Sequence, residues 1–184
     1  MMCKVQDVAD FFIDSAINDP DDNMTNLRIN KLLFFAQGWS LVKRKGTPLF
    51  KDDFYAWDLG PVIPEIYRRF KVAGRGKIQS VDNDNYDEKF SEEETQLLID
   101  VLRHYSKFST SGLVDLTHKK GSPWDKVYEV HMNNIIPKED IREYFERMPD
   151  LEHFSMPALK DSDYIGYRDE ITGNYVLPED WIDE

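Results

Sequence analysis

The sequence has one cysteine, Cys3, among its 184 residues. A single cysteine cannot form an internal disulfide or supply a zinc site built from several thiolates. No run of about 18 apolar residues occurs, so no membrane-spanning helix is expected. The first residues lack the basic region and apolar stretch of a secretory signal. Together these absences predict a cytoplasmic protein.

Motifs for catalysis and for metal or phosphate binding are also absent. The four histidines are scattered without the i, i+4 pairing of a metal site, and no phosphate-binding glycine loop is present. Cys3, expected in a frayed terminus, has no partner base. The best catalytic set is Asp115, His118 and Ser122, which would suit a hydrolase or transferase. The structural interpretation is the stronger one, with Ser122 as a helix cap and His118 at a helix end where its charge suits the dipole. The sequence therefore favours a binding protein with no catalytic residue, cofactor or metal.

Charge is unevenly distributed along the chain. The net charge is −12, yet residues 28–77 contain 11 basic and only 4 acidic residues. This basic segment leaves open a DNA-binding autoregulator, although the acidic whole argues against a general nucleic-acid binder. The other interpretation is that the basic segment meets the acidic segment, residues 149–184, within the fold. Hydrophobic residues make up 41% and aromatic residues 13%, enough for a substantial core.

Apolar periodicity predicts helices from the N-terminus onward. Residues 5–17 form an amphipathic pattern, and Thr25 is placed to cap a second helix that runs to about Lys45. Apolar residues cover this second helix nearly all round, which is typical of a central helix. Phe54–Leu59 is predicted as a strand or hairpin arm, followed by a turn at Gly60 and Pro61 and a helix opened by Pro64.

Capping motifs locate the later helices. Ser91 and Glu94 form a capping box, Ser122 precedes a proline-initiated helix, and Pro137 opens a last helix. A short helix is expected around residues 113–119. The pattern at 164–178 predicts a β-hairpin with Thr172-Gly173 in its loop. The sequence thus predicts a mainly α, compact multi-helix domain over residues 1–148 with small β-hairpin elements, and an acidic extension over 149–184 with a further hairpin.

Three segments together resemble one known family. LRINKLLFFAQGW (27–39), FYAWDLGPVIPEIYRRF (54–70) and LTHKKGSPWDKVY (116–128) resemble, in order and spacing, the signature of the Panacea-domain family, also called SocA-like or phage-associated GepA-like. Thr117 and Phe34 depart modestly from that signature, where many relatives have serine and tyrosine.

The resemblance implies an antitoxin of a toxin–antitoxin system, encoded by bacteria or their phages. Its partner would be a cognate toxin, neutralised by direct protein binding or delivered to the ClpXP protease. Neither the toxin nor the oligomeric state follows from the resemblance. The signature positions, taken as structural or partner-binding, are Lys31, Phe35, Gly38, Trp39, Trp57, Gly60, Pro61, Val62, Pro64, Tyr67, His118, Pro123 and Trp124.

Each signature residue also has a structural interpretation. The signature aromatics lie on predicted core stripes, and Trp57 and Trp124 are expected to be buried. Gly38 in mid-helix predicts a close helix crossing. Lys31 is expected either to pair internally, with Asp58 as a candidate, or to contribute to a toxin-binding surface.

The acidic extension carries several large side chains that suit a basic partner surface. Charge would steer the encounter and rings would anchor it. The alternative is that this tail folds back onto the basic segment of its own chain. The candidate anchors are Phe154, Tyr164, Tyr167, Tyr175 and Trp181.

Overall fold

The computed structural model describes residues 2–16, 24–79 and 86–151, together with two short strands further along the chain. Seven α-helices lie within these ranges, so the prediction of a mainly α protein is confirmed. They are α1 (Val5–Ala16), α2 (Asn26–Lys43), α3 (Pro64–Phe70), α4 (Glu92–Ser106), α5 (Thr110–Thr117), α6 (Pro123–Val127) and α7 (Lys138–Phe145).

Helix α2 is the centre of the domain. From Asn26 to Leu41 every residue is buried except the half-buried Leu27. Helices α1, α3, α4, α5 and α7 all contact it. Apolar side chains around the whole circumference require neighbours on several sides, as the sequence predicts.

Side-chain caps start the helices where the sequence places them. Thr25 accepts a hydrogen bond from the Arg28 backbone N–H, and Ser91 and Glu94 form the full capping box. Helix α5 begins at Thr110, three residues before the predicted start. The cause is Ser109, whose hydroxyl accepts from the Gly112 N–H and caps an extra turn.

A three-stranded antiparallel sheet lies beside α2, with β1 (Phe54–Trp57) between β2 (Gly60–Val62) and β3 (Ile135–Ile136). Trp57 pairs with Gly60, so residues 58 and 59 form the hairpin turn. The prediction that Gly60 and Pro61 form this turn is therefore wrong. Both belong to β2, and Gly60 enters it at φ +99°.

Aromatic rings fill the space between α2, α4 and α7. Phe35 stacks on Tyr105 with ring centroids 3.8 Å apart, and Trp39 meets Phe145 edge-on at 5.4 Å. The Phe145 ring lies so close to Gly38 that a Cβ there would be 2.4 Å from it. The close crossing predicted at Gly38 is confirmed.

The expectation of a frayed N-terminus at Cys3 is wrong. Its backbone N–H donates to the Leu49 carbonyl at 2.9 Å, and the half-buried side chain packs on the core. Burial and the neighbouring Glu94 carboxylate raise the pKa of the Cys3 thiol to about 12. The thiol therefore stays protonated and is a poor nucleophile.

The chain divides into two units, residues 1–154 and 155–184. In the second, β4 (Tyr167–Arg168) pairs antiparallel with β5 (Tyr175–Val176), which confirms the predicted C-terminal hairpin. The division at residue 149 stays a prediction. The loop at Thr172-Gly173 and the side chains proposed as tail anchors lie outside the described residues, namely those of Phe154, Tyr164, Tyr167, Tyr175 and Trp181.

Candidate functional site

A cleft of about 830 Å³ opens where the first turn of α2 meets the β1–β2 hairpin. The start of α3, the loop after it, the start of α5 and the loop before β3 complete its walls. The volume falls within the roughly 300–1,000 Å³ typical of ligand sites. Its lining includes Asn26, Asn30, Trp57, Leu59, Tyr67 and Arg75.

Two signature aromatics line this cleft from adjacent elements. Trp57 and Tyr67 meet edge-on with their ring centroids 4.9 Å apart, and both are only half-buried. The expectation that they are core residues is therefore wrong. The hairpin leaves Trp57 at the domain surface, and the start of α3 turns Tyr67 toward the same opening.

The third signature tryptophan supports the hairpin from behind. Trp124 is 8% exposed, as predicted for a core residue, and its indole N–H donates to the Trp57 carbonyl at 2.8 Å. It lies between the rings of His118 and Tyr128, at centroid distances of 3.8 and 4.3 Å. The Tyr128 hydroxyl donates to Asp58 at 3.0 Å. This stack holds the hairpin at both Trp57 and Asp58.

Two buried asparagines form the polar base of the cleft. The Asn26 side-chain amide donates to the Tyr67 carbonyl at 2.9 Å. Asn30 donates to the Asn26 carbonyl at 2.8 Å and accepts from the Ile63 N–H at 2.9 Å. These hydrogen bonds fix the start of α3 on α2. Moving α3 away would leave buried amide groups without partners, which costs free energy.

Lys31 is fully buried and donates to the Pro61 carbonyl at 2.9 Å. The predicted pairing with Asp58 is wrong, because the hairpin turn carries Asp58 out to solvent and to Tyr128. Burial lowers the pKa of the Lys31 amine to about 7. With no exposed surface, Lys31 acts on a partner only through the hairpin it supports.

Gly60 completes this support. Its φ of +99° favours glycine, and a Cβ there would lie 2.7 Å from the Thr117 hydroxyl and 2.9 Å from the Lys31 amine. A side chain at this position would push α2 and α5 away from the hairpin. Lys31, Gly60 and Pro61 therefore form one structural unit under the cleft.

The candidate catalytic set does not assemble into a serine–histidine pair. The fully buried Ser122 hydroxyl donates to the Thr117 carbonyl at 2.7 Å and accepts from the Asp125 N–H. Burial, followed by the charge on Lys31, lowers the pKa of His118, while Asp115 raises it. The roles observed for Ser122 and His118 are a helix cap and a stacking ring.

Part of the basic segment is buried or paired within the fold. Arg28 and Lys31 are buried, and the Arg28 guanidinium donates to the Phe108 carbonyl at 2.8 Å. The expected contact with the acidic segment, residues 149–184, is seen at Asp150 and otherwise stays a prediction. Three further residues in the basic segment form ion pairs within the fold. These are Arg69 with Asp10, Arg44 with Glu94, and Lys43 with Asp150, at 2.8, 3.1 and 3.2 Å.

The described ranges contain neither a metal-binding cluster nor a membrane-spanning helix. No group of three or more His, Cys, Asp or Glu residues there is placed to hold a metal ion. None of the helices in those ranges is long and apolar enough to cross a membrane.

Comparison with known proteins identifies the family. The family model described as "Antitoxin SocA-like, Panacea domain" matches residues 29–125, which run from α2 into α6. The chain belongs to this family. It is 34% identical over 133 residues to "Antitoxin SocA" of Caulobacter vibrioides, an alignment covering 65% of this chain and 68% of that protein. No solved structure matches the chain.

The signature residues of this Panacea-domain protein fall into three groups. Lys31, Trp57, Gly60, Pro61, Val62, Tyr67, His118 and Trp124 line the cleft or support its hairpin. Three others, Phe35, Gly38 and Trp39, lie in the aromatic core instead. Pro64 and Pro123 open helices α3 and α6.

Several lining residues escaped the sequence analysis. Asn26 and Asn30, four apart on an otherwise apolar helix, were a usable signal of a polar base. Leu59, Arg75 and His131 carry no such signal, because only the tertiary fold brings these three loops together.

Proposed function

We propose that this protein is an antitoxin that neutralises a protein toxin by direct binding, with the cleft beside the β1–β2 hairpin as its contact surface. The observation that carries the proposal is the convergence of the signature residues on this cleft. Its buried members hold the hairpin in place, and Trp57 and Tyr67 face the opening. Membership of the Panacea-domain family and likeness to a relative named as an antitoxin support the same role.

Exposed apolar side chains around the cleft favour a protein partner. Leu59 at the hairpin tip is 56% exposed, and Val130 and Met132 are 64% and 62% exposed. These two flank His131, which lines the cleft with Leu59. Apolar side chains grouped at one rim are typical of a surface that another protein covers.

Binding rather than catalysis is also part of the proposal. The Ser122 hydroxyl is engaged with the Thr117 carbonyl, and the Cys3 thiol is held protonated. Retained neutralisation after His118→Gln, in a variant that folds normally, would agree with this view. A measured hydrolase or transferase activity that His118→Gln abolishes would contradict it.

Co-expression with the product of the neighbouring open reading frame tests the proposal. We expect that product to be toxic alone, harmless with this protein, and recovered in a complex with it. Relief of toxicity that persists in cells lacking ClpXP would indicate neutralisation by binding alone. Relief that disappears without ClpXP would replace the proposal with a proteolytic adaptor. A harmless neighbour that does not co-purify would overturn the antitoxin role for this pair.

A matched pair of variants locates the contact surface. Leu59→Asp places a charge at the cleft, and Met2→Asp places one on a side chain of similar exposure, 52%, beside the far end of α2. We expect Leu59→Asp to lose neutralisation while Met2→Asp retains it. Equal neutralisation by both folded variants would exclude the hairpin tip as part of the interface.

A further inference from the structure

We infer that the cleft receives a segment of the toxin in which an acidic side chain lies next to an aromatic or large apolar one. This inference rests on the proposed function and adds the chemistry of the partner. It follows from the lining of the cleft, in which large apolar side chains lie together with one arginine, Arg75.

The large apolar side chains come from α2 and the hairpin. Leu27, Trp57, Leu59 and Val62 line the cleft, and Tyr67 closes the corner against Trp57. Hot spots of protein interfaces are enriched in large side chains that enter such pockets. An aromatic or large aliphatic side chain of the partner is the group that would bury this surface.

The positive charge in the cleft comes from Arg75, in the loop that follows α3. Residues 66–79 contain five basic residues and no acidic one, in a chain whose net charge is −12. Arg69 is committed to Asp10, whereas Arg68 and Lys71 are exposed and Arg75 itself lines the cleft. An arginine guanidinium matches a carboxylate with two parallel hydrogen bonds.

The start of α2 adds to the preference for an acidic group. Asn26 and Leu27, in the first turn of this 18-residue helix, line the cleft together with Arg75. The N-terminal end of a helix dipole stabilises a nearby negative charge. The acidic group that faces the cleft, Asp58, lies on the hairpin and accepts from Tyr128. The basic and apolar contacts therefore select an acidic residue and a neighbouring large side chain together.

Photo-crosslinking in the full-length protein identifies what enters the cleft. Leu59 would be replaced by a benzoyl-phenylalanine and the complex with the neighbouring toxin irradiated and mapped by mass spectrometry. We expect crosslinks to a toxin segment with Asp or Glu within a few residues of an aromatic or large aliphatic residue. A crosslink to a net basic segment or to nucleic acid would overturn the inference, as would a stable complex without any crosslink.

A charge reversal tests the contribution of Arg75 to toxin binding. Arg75→Glu should weaken toxin affinity by about tenfold or more, with an effect that shrinks as salt is raised. Lys45→Glu is the matched control, because Lys45 is an exposed residue just beyond the other end of α2, about 27 Å from the cleft. Reversal of the crosslinked acid in the toxin to Arg should restore affinity for Arg75→Glu.

The outcomes separate the two proposals. If the wild-type protein neither binds nor neutralises the neighbour, the proposed function fails. If the wild type neutralises it and Arg75→Glu binds as tightly as Lys45→Glu does, the antitoxin role stands and the inference about the cleft is wrong.

Discussion

The first half of α2, from Asn26 to Leu33, buries four polar side chains among its apolar ones, whereas aromatic rings dominate the packing of the second half, from Phe34 to Leu41. Both halves are almost fully buried. In the second half, rings from α4 and α7 fit against Phe35, Gly38 and Trp39. Gln37 and Ser40 also hydrogen-bond the backbone of residues 47–50. In the first half, hydrogen bonds to backbone carbonyls and N–H groups fix neighbouring segments at defined places.

The difference between the two halves of α2 indicates which substitutions should change stability and which should change binding. A buried hydrogen bond is lost when its partner moves by about an ångström, so the segments that the first half holds are fixed in position. The hydrogen bonds of the first half are the ones that hold the segments around the cleft. We therefore expect substitutions in the aromatic half to change stability, and substitutions near the hairpin to change binding.

Phe145→Ala should have the largest effect on stability. Phe145 is fully buried against Phe34, Phe35 and Trp39, so its removal should cost about 3–5 kcal/mol of unfolding free energy. Chemical denaturation measures this cost. At a temperature where the variant is folded, toxin affinity should equal that of the wild type. A strong loss of affinity would show that the two halves are coupled.

Lys31→Met should change how stability depends on pH. The folded-state pKa of Lys31, about 7, lies below its ordinary value of 10.5, so the unfolded chain binds more protons between these values. Stability contributed by this residue therefore rises with pH, by about 2 kcal/mol from pH 7 to pH 9. We expect the wild type to show this rise relative to Lys31→Met in denaturation curves at both pH values.

The comparison between the two proteins isolates Lys31 from other titrating groups. Cys3 has a raised pKa in the folded state and works in the opposite direction above its ordinary value of 9.0. Because Cys3 is present in both proteins, its contribution cancels in the difference. Parallel pH profiles would mean that Lys31 is charged in the folded protein.

Local signals in the sequence were sufficient for the helices and for the aromatic packing on α2. The apolar circumference of α2, the caps at Thr25 and Ser91, and Gly38 in mid-helix each have a local physical reason and were predicted correctly. Residue type and spacing carry this information, so no knowledge of distant contacts was needed.

The cleft depended on contacts that local patterns do not encode. A lysine on an apolar helix predicts a carboxylate partner, yet Lys31 donates to the Pro61 carbonyl, 30 residues away in sequence. Trp57 resembles a core residue by type, yet the hairpin leaves it at the surface. Which side of a two-strand hairpin faces solvent depends on the helices packed behind it, here α5 and α6.

Gly38→Ala should cost about 1–3 kcal/mol, because the new methyl group would overlap the Phe145 ring. The double variant with Phe145→Ala provides the control. In that background the cost should vanish, and the better helix propensity of alanine should yield about 1 kcal/mol of added stability. An equal cost of Gly38→Ala in both backgrounds would assign the glycine to backbone conformation rather than to close packing.

Trp57→Ala should have the smallest effect on stability and a large effect on binding. Trp57 is half-buried, and its main side-chain contact is the edge-on pair with Tyr67, so we expect a loss of about 1–2 kcal/mol. Its backbone carbonyl, which accepts from Trp124, remains in the variant.

Trp124→Ala is the natural comparison, because removing that buried indole should cost about 3–5 kcal/mol. Thermal melts and toxin titrations on both variants test the contrast. If Trp57→Ala binds toxin like the wild type, the aromatic corner is not part of the interface. If it unfolds as readily as Trp124→Ala, the hairpin belongs to the core and the separation between the two halves of α2 is lost.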